Sequence, residues 1–373
     1  MRPDVTLAEL PLRPELVGQQ PYGAPQLEAQ ARLNVNENPY PPSPALAQEM
    51  AQAVRQAAGQ LNRYPDREAK SLRSKLARYL GHGLLFDQVW AANGSNEVMT
   101  QLLQAFAGPG RRVLTFTPTY SMYPEYVRNT CSELISLPRR PDYGIDLPAA
   151  WEAIDQLRPD VVMIANPNNP TGTSTPLAVL EQLLRVAPGI VVVDEAYQEF
   201  SRQPGNTALG LLNRYGNLAV CRTMSKAFAL AGGRLGYVAT SAAIVDALRL
   251  VRLPYHLSAV SQAVAEVALD HADELLARVD ELRQRRDQCL DRLRRLGCAV
   301  VDSDANFCLF GRFVNRHKVW QELLGQGVLV REVGPPGYLR VSIGSAPEMD
   351  LFHSALEQVL SRAAHLMQSE GSL

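Results

Sequence analysis

Five apolar runs, each closed by a polar turn, constrain this chain more than any other feature of its sequence. QVWAA leads into NGSNE, RVLTF into TPTY, VVMIA into NPNNPTG, IVVV into DEAY, and LAVCRT into MSK. Short apolar runs bounded by turn residues read as buried strands. The segments between them have helical periodicity, as in Val98, Leu102, Leu103 and Phe106 on one face. Strands alternating with helices between about residues 70 and 240 predict crossover units feeding a largely parallel sheet. In open sheets of that kind, ligands bind outside the carboxyl ends of the strands. Five such ends bearing Ser, Asn, Tyr, Asp and Lys therefore point to one shared site.

The rest of the chain has a different character. Residues 1–30 are rich in Pro and Gly and read as an N-terminal arm. The segment from PYPPSP to LNRYPD predicts a helix beginning near Ser43 and stopping near Tyr64-Pro65. Beyond about residue 262, ADELLARVDELRQRRDQCLDRLRRLG predicts a long amphipathic helix, followed by the strand-like pieces CAVV, FCLF, VLVRE and YLRVSIG and a last helix. The expected fold is α/β: a large domain over 61–262 with a mainly parallel sheet flanked by helices, and a smaller α+β domain from 31–60 and 263–373.

Composition narrows the function classes. With a formal net charge of −1 and 20% charged residues, no global field favours nucleic acid or an anionic membrane. The RQRR and RLRR clusters are broken by acidic residues and lack interleaved aromatics, as expected of a solvated helix face. No apolar run is long enough to span a bilayer, and the first thirty residues lack a signal-like apolar stretch. Five cysteines without CxxC spacing point to reduced thiols in a cytoplasm and to no metal site.

The stretch TMSKAFALAGGRLGY sets Lys226 against Met224, Ala227, Phe228 and Ala229, at what reads as the opening of an apolar helix. One reading is a snorkelling lysine. The other is a desolvated amine whose pKa falls until it serves as a nucleophile. An amine of that kind suits an aldehyde cofactor acting as an electron sink, of which pyridoxal phosphate is the common one. That cofactor makes demands the sequence can meet. A ring nitrogen kept protonated needs a carboxylate, and Asp194 closes IVVVD. The ring oxygen needs donors, for which Tyr197 and Asn169 are candidates, and Tyr120 can cover the ring face. The phosphate needs a helix N-terminus, hydroxyls and a cation. NGSNE supplies Ser95 and Asn96 at a helix entry, Thr223 and Ser225 supply hydroxyls, and Arg234 a guanidinium.

Together, NGSNE, PTYSMY, NPNNPTG, DEAYQEF and TMSKAFALAGGRLGY resemble the fold-type-I pyridoxal-phosphate aminotransferases. LNVNENPYPPSP, LNRYPD, ANFCLF and LVRE…LRVSIG narrow the resemblance to the histidinol-phosphate aminotransferase family of histidine biosynthesis, over residues 10 to 360. The resemblance implies that Lys226 forms the Schiff base and shuttles the Cα proton. It implies the cofactor contacts already named, with Tyr64 reaching the phosphate from a neighbouring subunit of a homodimer with shared active sites. Tyr22 is expected near the substrate, also from across the dimer. Arg340 is the expected substrate-anion arginine, and Arg331 a second phosphate contact. The implied substrates are a phosphorylated amino alcohol and an amino-acid/keto-acid pair. Three positions depart from the family pattern: Asn96 stands where many members carry Asp, Gly233 replaces a bulkier residue, and Arg331 and Arg340 are only nine apart around GPPGY. An aromatic or broad-specificity aminotransferase shares the catalytic set and is the alternative, ahead of a pyridoxal-phosphate decarboxylase or a non-catalytic regulator of the same fold.

Overall fold

The structure is a computed structural model that describes residues 4–203 and 205–362, so residues 1–3 of the arm and 363–373 of the expected small domain lie outside the described residues. In chain order the strands are β1 (Ala31–Arg32), β2 (Val89–Ala92), β3 (Arg112–Thr117), β4 (Glu133–Pro138), β5 (Val161–Ala165), β6 (Ile190–Asp194), β7 (Leu218–Thr223), β8 (Gly236–Thr240), β9 (Ala299–Val300), β10 (Phe307–Gly311), β11 (Val328–Leu329) and β12 (Leu339–Ser342).

Seven of them form one sheet in the order β2-β8-β7-β6-β5-β3-β4. Every pairing in it is parallel except the two made by β8, which runs against both β2 and β7. The five strands expected from the sequence therefore all point the same way and end on one edge. Strands β2, β5 and β7 are buried at every residue, as expected of a sheet covered on both faces. Alternation sorts the side chains, as in β6, where Val191 and Val193 enter one core and Val192 the other. The second core is roofed by the helices Ser95–Phe106, Tyr123–Asn129 and Ala242–Val251.

Two strands of the sheet were not legible as strands. In β4, ELISLP is only half-buried at the sheet edge, so it lacks a continuous apolar run. In β8, GYVAT lies beyond the lysine segment that was expected to open a helix. That helix does not form. After β7 the chain turns, Ala229 adopts φ 54°, and Leu230 N–H bonds back to Met224 O at 3.0 Å. A left-handed residue followed by Gly232-Gly233 interrupts any helical run, and the segment returns as β8. The helix expected from Ser43 forms as Pro44–Ala58, with Ser43 Oγ accepting from Leu46 N–H at 3.2 Å. It stops at Gly59, short of Tyr64-Pro65, because glycine propagates a helix poorly.

The long helix forms as Ala272–Arg295, and β9, β10 and β12 make an antiparallel sheet in the order β12-β10-β9. Strand β1 pairs in parallel with β11, so residues 31–36 are held beside the C-terminal part of the chain. This pairing brings an N-terminal segment over the edge where the large sheet's strands end.

Candidate active site

At that edge lies a cavity of about 230 Å³, and every candidate from the sequence except Tyr64 lines it. Asp194 is the last residue of β6, opposite Ala165 of β5. Thr223 closes β7, and Ser225 and Lys226 follow it. Ser95 and Asn96 open the helix Ser95–Phe106, whose N-cap Gly94 has φ 82°. Strand β8 runs the other way, so its beginning lies on this same edge, and Arg234, two residues ahead of Gly236, reaches the helix entry. A Cβ on Gly94 would lie 2.6 Å from Arg234 Nη2, so the guanidinium occupies the space a side chain would need. First-turn amides, hydroxyls and a guanidinium make an anion site of this corner.

Close approach of β8 is required to hold that corner together. A Cβ on Gly236 would sit 2.0 Å from the Ser95 nitrogen, and that backbone cannot swing aside as a flexible side chain can. Gly236→Ala is expected to cost roughly 2–4 kcal/mol, measurable by denaturant titration. Wild-type stability in that variant would contradict the packing described.

Asp194 is buried at the cavity floor. Its oxygens accept from Ala196 N–H and Tyr123 Oη, both at 3.2 Å, and it has no ion-pair partner among the described residues. Burial pushes its carboxyl up to about 6, against the two hydrogen bonds and with a smaller push from Glu195. Lys226 donates from Nζ to Val35 O at 2.9 Å. Burial, and then the Arg340 charge, pull its amine down to about 8, against Glu37. Among the described residues neither Lys226 nor Asp194 makes an ion pair, and both face one cavity, a costly arrangement for two buried ionisable groups. A ligand with a protonatable ring nitrogen and an electrophilic carbon answers both. The residues present therefore fit pyridoxal phosphate: Lys226 would meet its aldehyde carbon, Asp194 its ring nitrogen and the Gly94–Arg234 corner its phosphate.

Two arginines close the other side. Arg331 and Arg340 face each other across an isolated antiparallel bridge, with N–H to O distances of 2.9 Å both ways, so their side chains project from one face. Gly334 and Gly337, at φ 94° and 80°, make the tight GPPGY turn that permits it. Arg340 is buried, lies over the Phe307 ring at 5.1 Å, and donates to Asn169 Oδ1 at 2.5 Å and Asn34 O at 2.9 Å. Its Nε and Arg331 Nη1 have no hydrogen-bond partner among the described residues. Arg331 Nη2 reaches Gly23 O at 3.3 Å.

The structure also differs from expectation. Tyr64 is 80% exposed, stacks on Tyr255 at 4.3 Å, and lies outside this chain's cavity. Tyr22 lines the cavity of its own chain, bonded to Ser121 Oγ at 2.7 Å, although it was expected across a dimer. The arm passes over its own sheet edge near the turn after β3, which brings the tyrosine there. Thr223 Oγ1 lies 3.0 Å from Ser225 Oγ and 3.2 Å from Leu235 O, so its proton serves the turn. Tyr120 borders the cavity edge-on to Tyr123, with ring centroids 5.8 Å apart. Three residues without an assigned role prove central: Tyr123, and Asn34 and Asn36 of the NVNENP stretch, whose three asparagines in five positions were the available signal.

Residues 28–356 match the model of the family described as aminotransferase class I and II. A histidinol-phosphate aminotransferase of Thermobifida fusca is 57% identical over 96% of this chain and 98% of its own. The Burkholderia lata protein named histidinol-phosphate aminotransferase 3 is 55% identical over 96% and 98%. Among solved structures, the histidinol-phosphate aminotransferase of Sinorhizobium meliloti in complex with pyridoxal-5'-phosphate superposes with a TM-score of 0.83. It is 25% identical, over 94% of this chain and 98% of that one.

Proposed function

We propose that this chain, which belongs to the class I and II aminotransferases, is a pyridoxal-phosphate-dependent histidinol-phosphate aminotransferase of histidine biosynthesis, transferring an amino group between histidinol phosphate and 2-oxoglutarate. The observation that carries the substrate reading is the Arg331–Arg340 pair. Two guanidiniums side by side repel; burial, foremost, and Arg331 both pull Arg340 below its usual range. A phosphate dianion relieves the repulsion and takes up the free Nε and Nη1 donors, and a guanidinium fork serves a carboxylate as well. One site can then accept a phosphorylated amino alcohol and a dicarboxylic acid in turn. The aromatic alternative shares the catalytic residues and the dicarboxylic acid, but its donor brings no phosphate to the second arginine.

Bound in this cavity, pyridoxal phosphate supplies an electron sink for the Cα–H bond and carries the amino group between half-reactions. The protein's own part follows from the geometry. Lys226, close to Val35 O, would carry the proton from the substrate Cα to the cofactor carbon, and in the opposite direction in the second half-reaction. Asp194 holds a proton on the ring nitrogen, which lowers the cost of its own burial. Tyr197 and Asn169 hold the ring oxygen, and Tyr120 covers the ring. Arg340 orients the substrate, with Tyr22 and Arg331 beside it. Ser95, Asn96, Ser225 and Arg234 hold the phosphate, and Thr223 braces Ser225. A stoichiometric assay tests the reaction class: glutamate formed per histidinol phosphate consumed should be one to one, whereas release of carbon dioxide would mark a lyase.

Assembly and organisation belong to the same proposal. The Tyr64–Tyr255 stack, with Leu61, Leu250 and Leu253 exposed around it in sequence, is an apolar surface of the kind that meets a second copy. Tyr64 then completes the partner's phosphate site. Mixing Lys226→Ala with Tyr64→Phe homodimers is expected to restore one site of wild-type cofactor affinity per mixed dimer. No gain on mixing would mean that Tyr64 acts within its own chain. The division into an arm (1–30), a small unit (31–60 with 263–373) and a large unit (61–262) is supported by the β1–β11 pairing. Five free cysteines, four of them buried, support a cytoplasmic location.

A further inference from the structure

Three consecutive residues each hold one functional side chain. Asn34 O accepts from Arg340 Nη2 and Val35 O from Lys226 Nζ, both at 2.9 Å, while Asn36 Nδ2 donates to Tyr197 Oη at 3.0 Å. The first two bonds use the backbone. The third depends on a side chain whose orientation is fixed from behind. Asn36 N–H donates to Ser342 Oγ at 2.8 Å, the Ser342 hydroxyl donates to Asn36 Oδ1 at 2.9 Å, and Asn306 Nδ2 donates to Asn36 O at 3.1 Å. With Oδ1 engaged by Ser342, the amide can present only its N–H to Tyr197. Asn36 is buried and has φ 57°, a left-handed conformation that asparagine tolerates better than most residues.

A phenol has one proton to donate. Because Tyr197 Oη accepts from Asn36, its own proton is directed away from Asn36, into the cavity that Tyr197 lines with Asp194 and Lys226. We propose that Asn36 is a positioning residue that aims the Tyr197 hydroxyl at the cofactor's ring oxygen, and so sets the pH at which the nitrogen joining Lys226 to the cofactor gains its proton. The proposal rests on the pyridoxal-phosphate reading above. A donated bond draws negative charge away from the ring oxygen. Without it, more of that charge stabilises a proton on the neighbouring nitrogen. The other charged and titratable groups facing Tyr197 are Arg340 from β12, Asp194 from β6, Tyr22 from the arm, Tyr120 from the turn after β3, and Lys226, whose Nζ is 6.0 Å from the ring centroid.

The test is a spectrophotometric pH titration of the cofactor-loaded protein and needs no turnover. Asn36→Asp exchanges the donor for a carboxylate that accepts the Tyr197 proton, and the titration midpoint is expected to rise by about one to two pH units. The new charge alone also raises the midpoint, so the same substitution is made in a Tyr197→Phe background, where no hydroxyl remains to be redirected. A much smaller shift there supports the proposal. Equal shifts in both backgrounds would overturn it. If the aspartate variant does not fold, Asn36→Ala takes its place in the same cycle under the same criterion. A wild-type protein that develops no visible band with pyridoxal phosphate would instead remove the cofactor reading and this proposal together.

Discussion

Lys226→Ala is expected to lower turnover by at least ~10⁴-fold and to abolish the visible band of lysine-bound cofactor, with the fold intact. In the proposed reaction one amine is both the cofactor's anchor and the carrier of the Cα proton, so no neighbour would replace it. Asp194 is acidic, and Tyr197 lends its hydroxyl to hydrogen bonding. The fold should survive because Lys226 makes no ion pair among the described residues; its one hydrogen bond goes to Val35 O. Its amine, pulled down to about 8 in the fold, costs stability below that pH, where a solvated lysine is charged without penalty. The variant should therefore melt no lower than wild type at pH 7. Retained steady-state turnover would refute the assignment.

Asp194→Asn should separate activity from stability. Activity is expected to fall by about 10³-fold or more, since an amide does not hold a proton on the ring nitrogen. The cofactor-free protein should become more stable. The carboxyl titrates near 3.8 in an unfolded chain and near 6 in the fold. Between those values the folded state holds more protons, so wild-type stability falls as pH rises from about 4 to 6. The cost is complete above that window, at about 3 kcal/mol from the shift alone. Thermal melts of cofactor-free wild type and Asp194→Asn should agree near pH 4 and diverge by pH 8, with the variant higher. A wild type that stays the more stable at pH 8 would mean that Asp194 is satisfied in some way other than by the cofactor. Loading the wild type should remove most of the difference.

The strand ends were legible because a parallel sheet buried on both faces leaves continuous apolar runs, and because each run stops at a residue that carries chemistry. That pattern alone places Asp194, Lys226, Ser95 and Asn169 on one edge of the sheet. Strand β8 was hidden by the turn before it, yet its reversed direction is what delivers Arg234 to that edge. The Arg331–Arg340 bridge was visible only as a short spacing. Which residues face each other across a turn depends on register, here set by Gly334 and Gly337. Asn36 was missed for a different reason: its role is exercised through Tyr197, and a residue that acts through another leaves no chemical signature of its own in the sequence. Tyr64 is exposed and lies outside this chain's cavity, so its expected phosphate contact rests on the proposed dimer.

The most direct test of the central claim is a rapid-mixing titration of cofactor-loaded protein with histidinol phosphate and, separately, with phenylalanine, following loss of the lysine-bound band in a single turnover. The two-arginine site predicts conversion by histidinol phosphate at concentrations at least ~10-fold lower, since a hydrophobic wall alone discriminates by only ~1–3 kcal/mol while the phosphate engages both guanidiniums. Equal or better conversion by phenylalanine would contradict the histidinol-phosphate reading and leave an aromatic aminotransferase in its place.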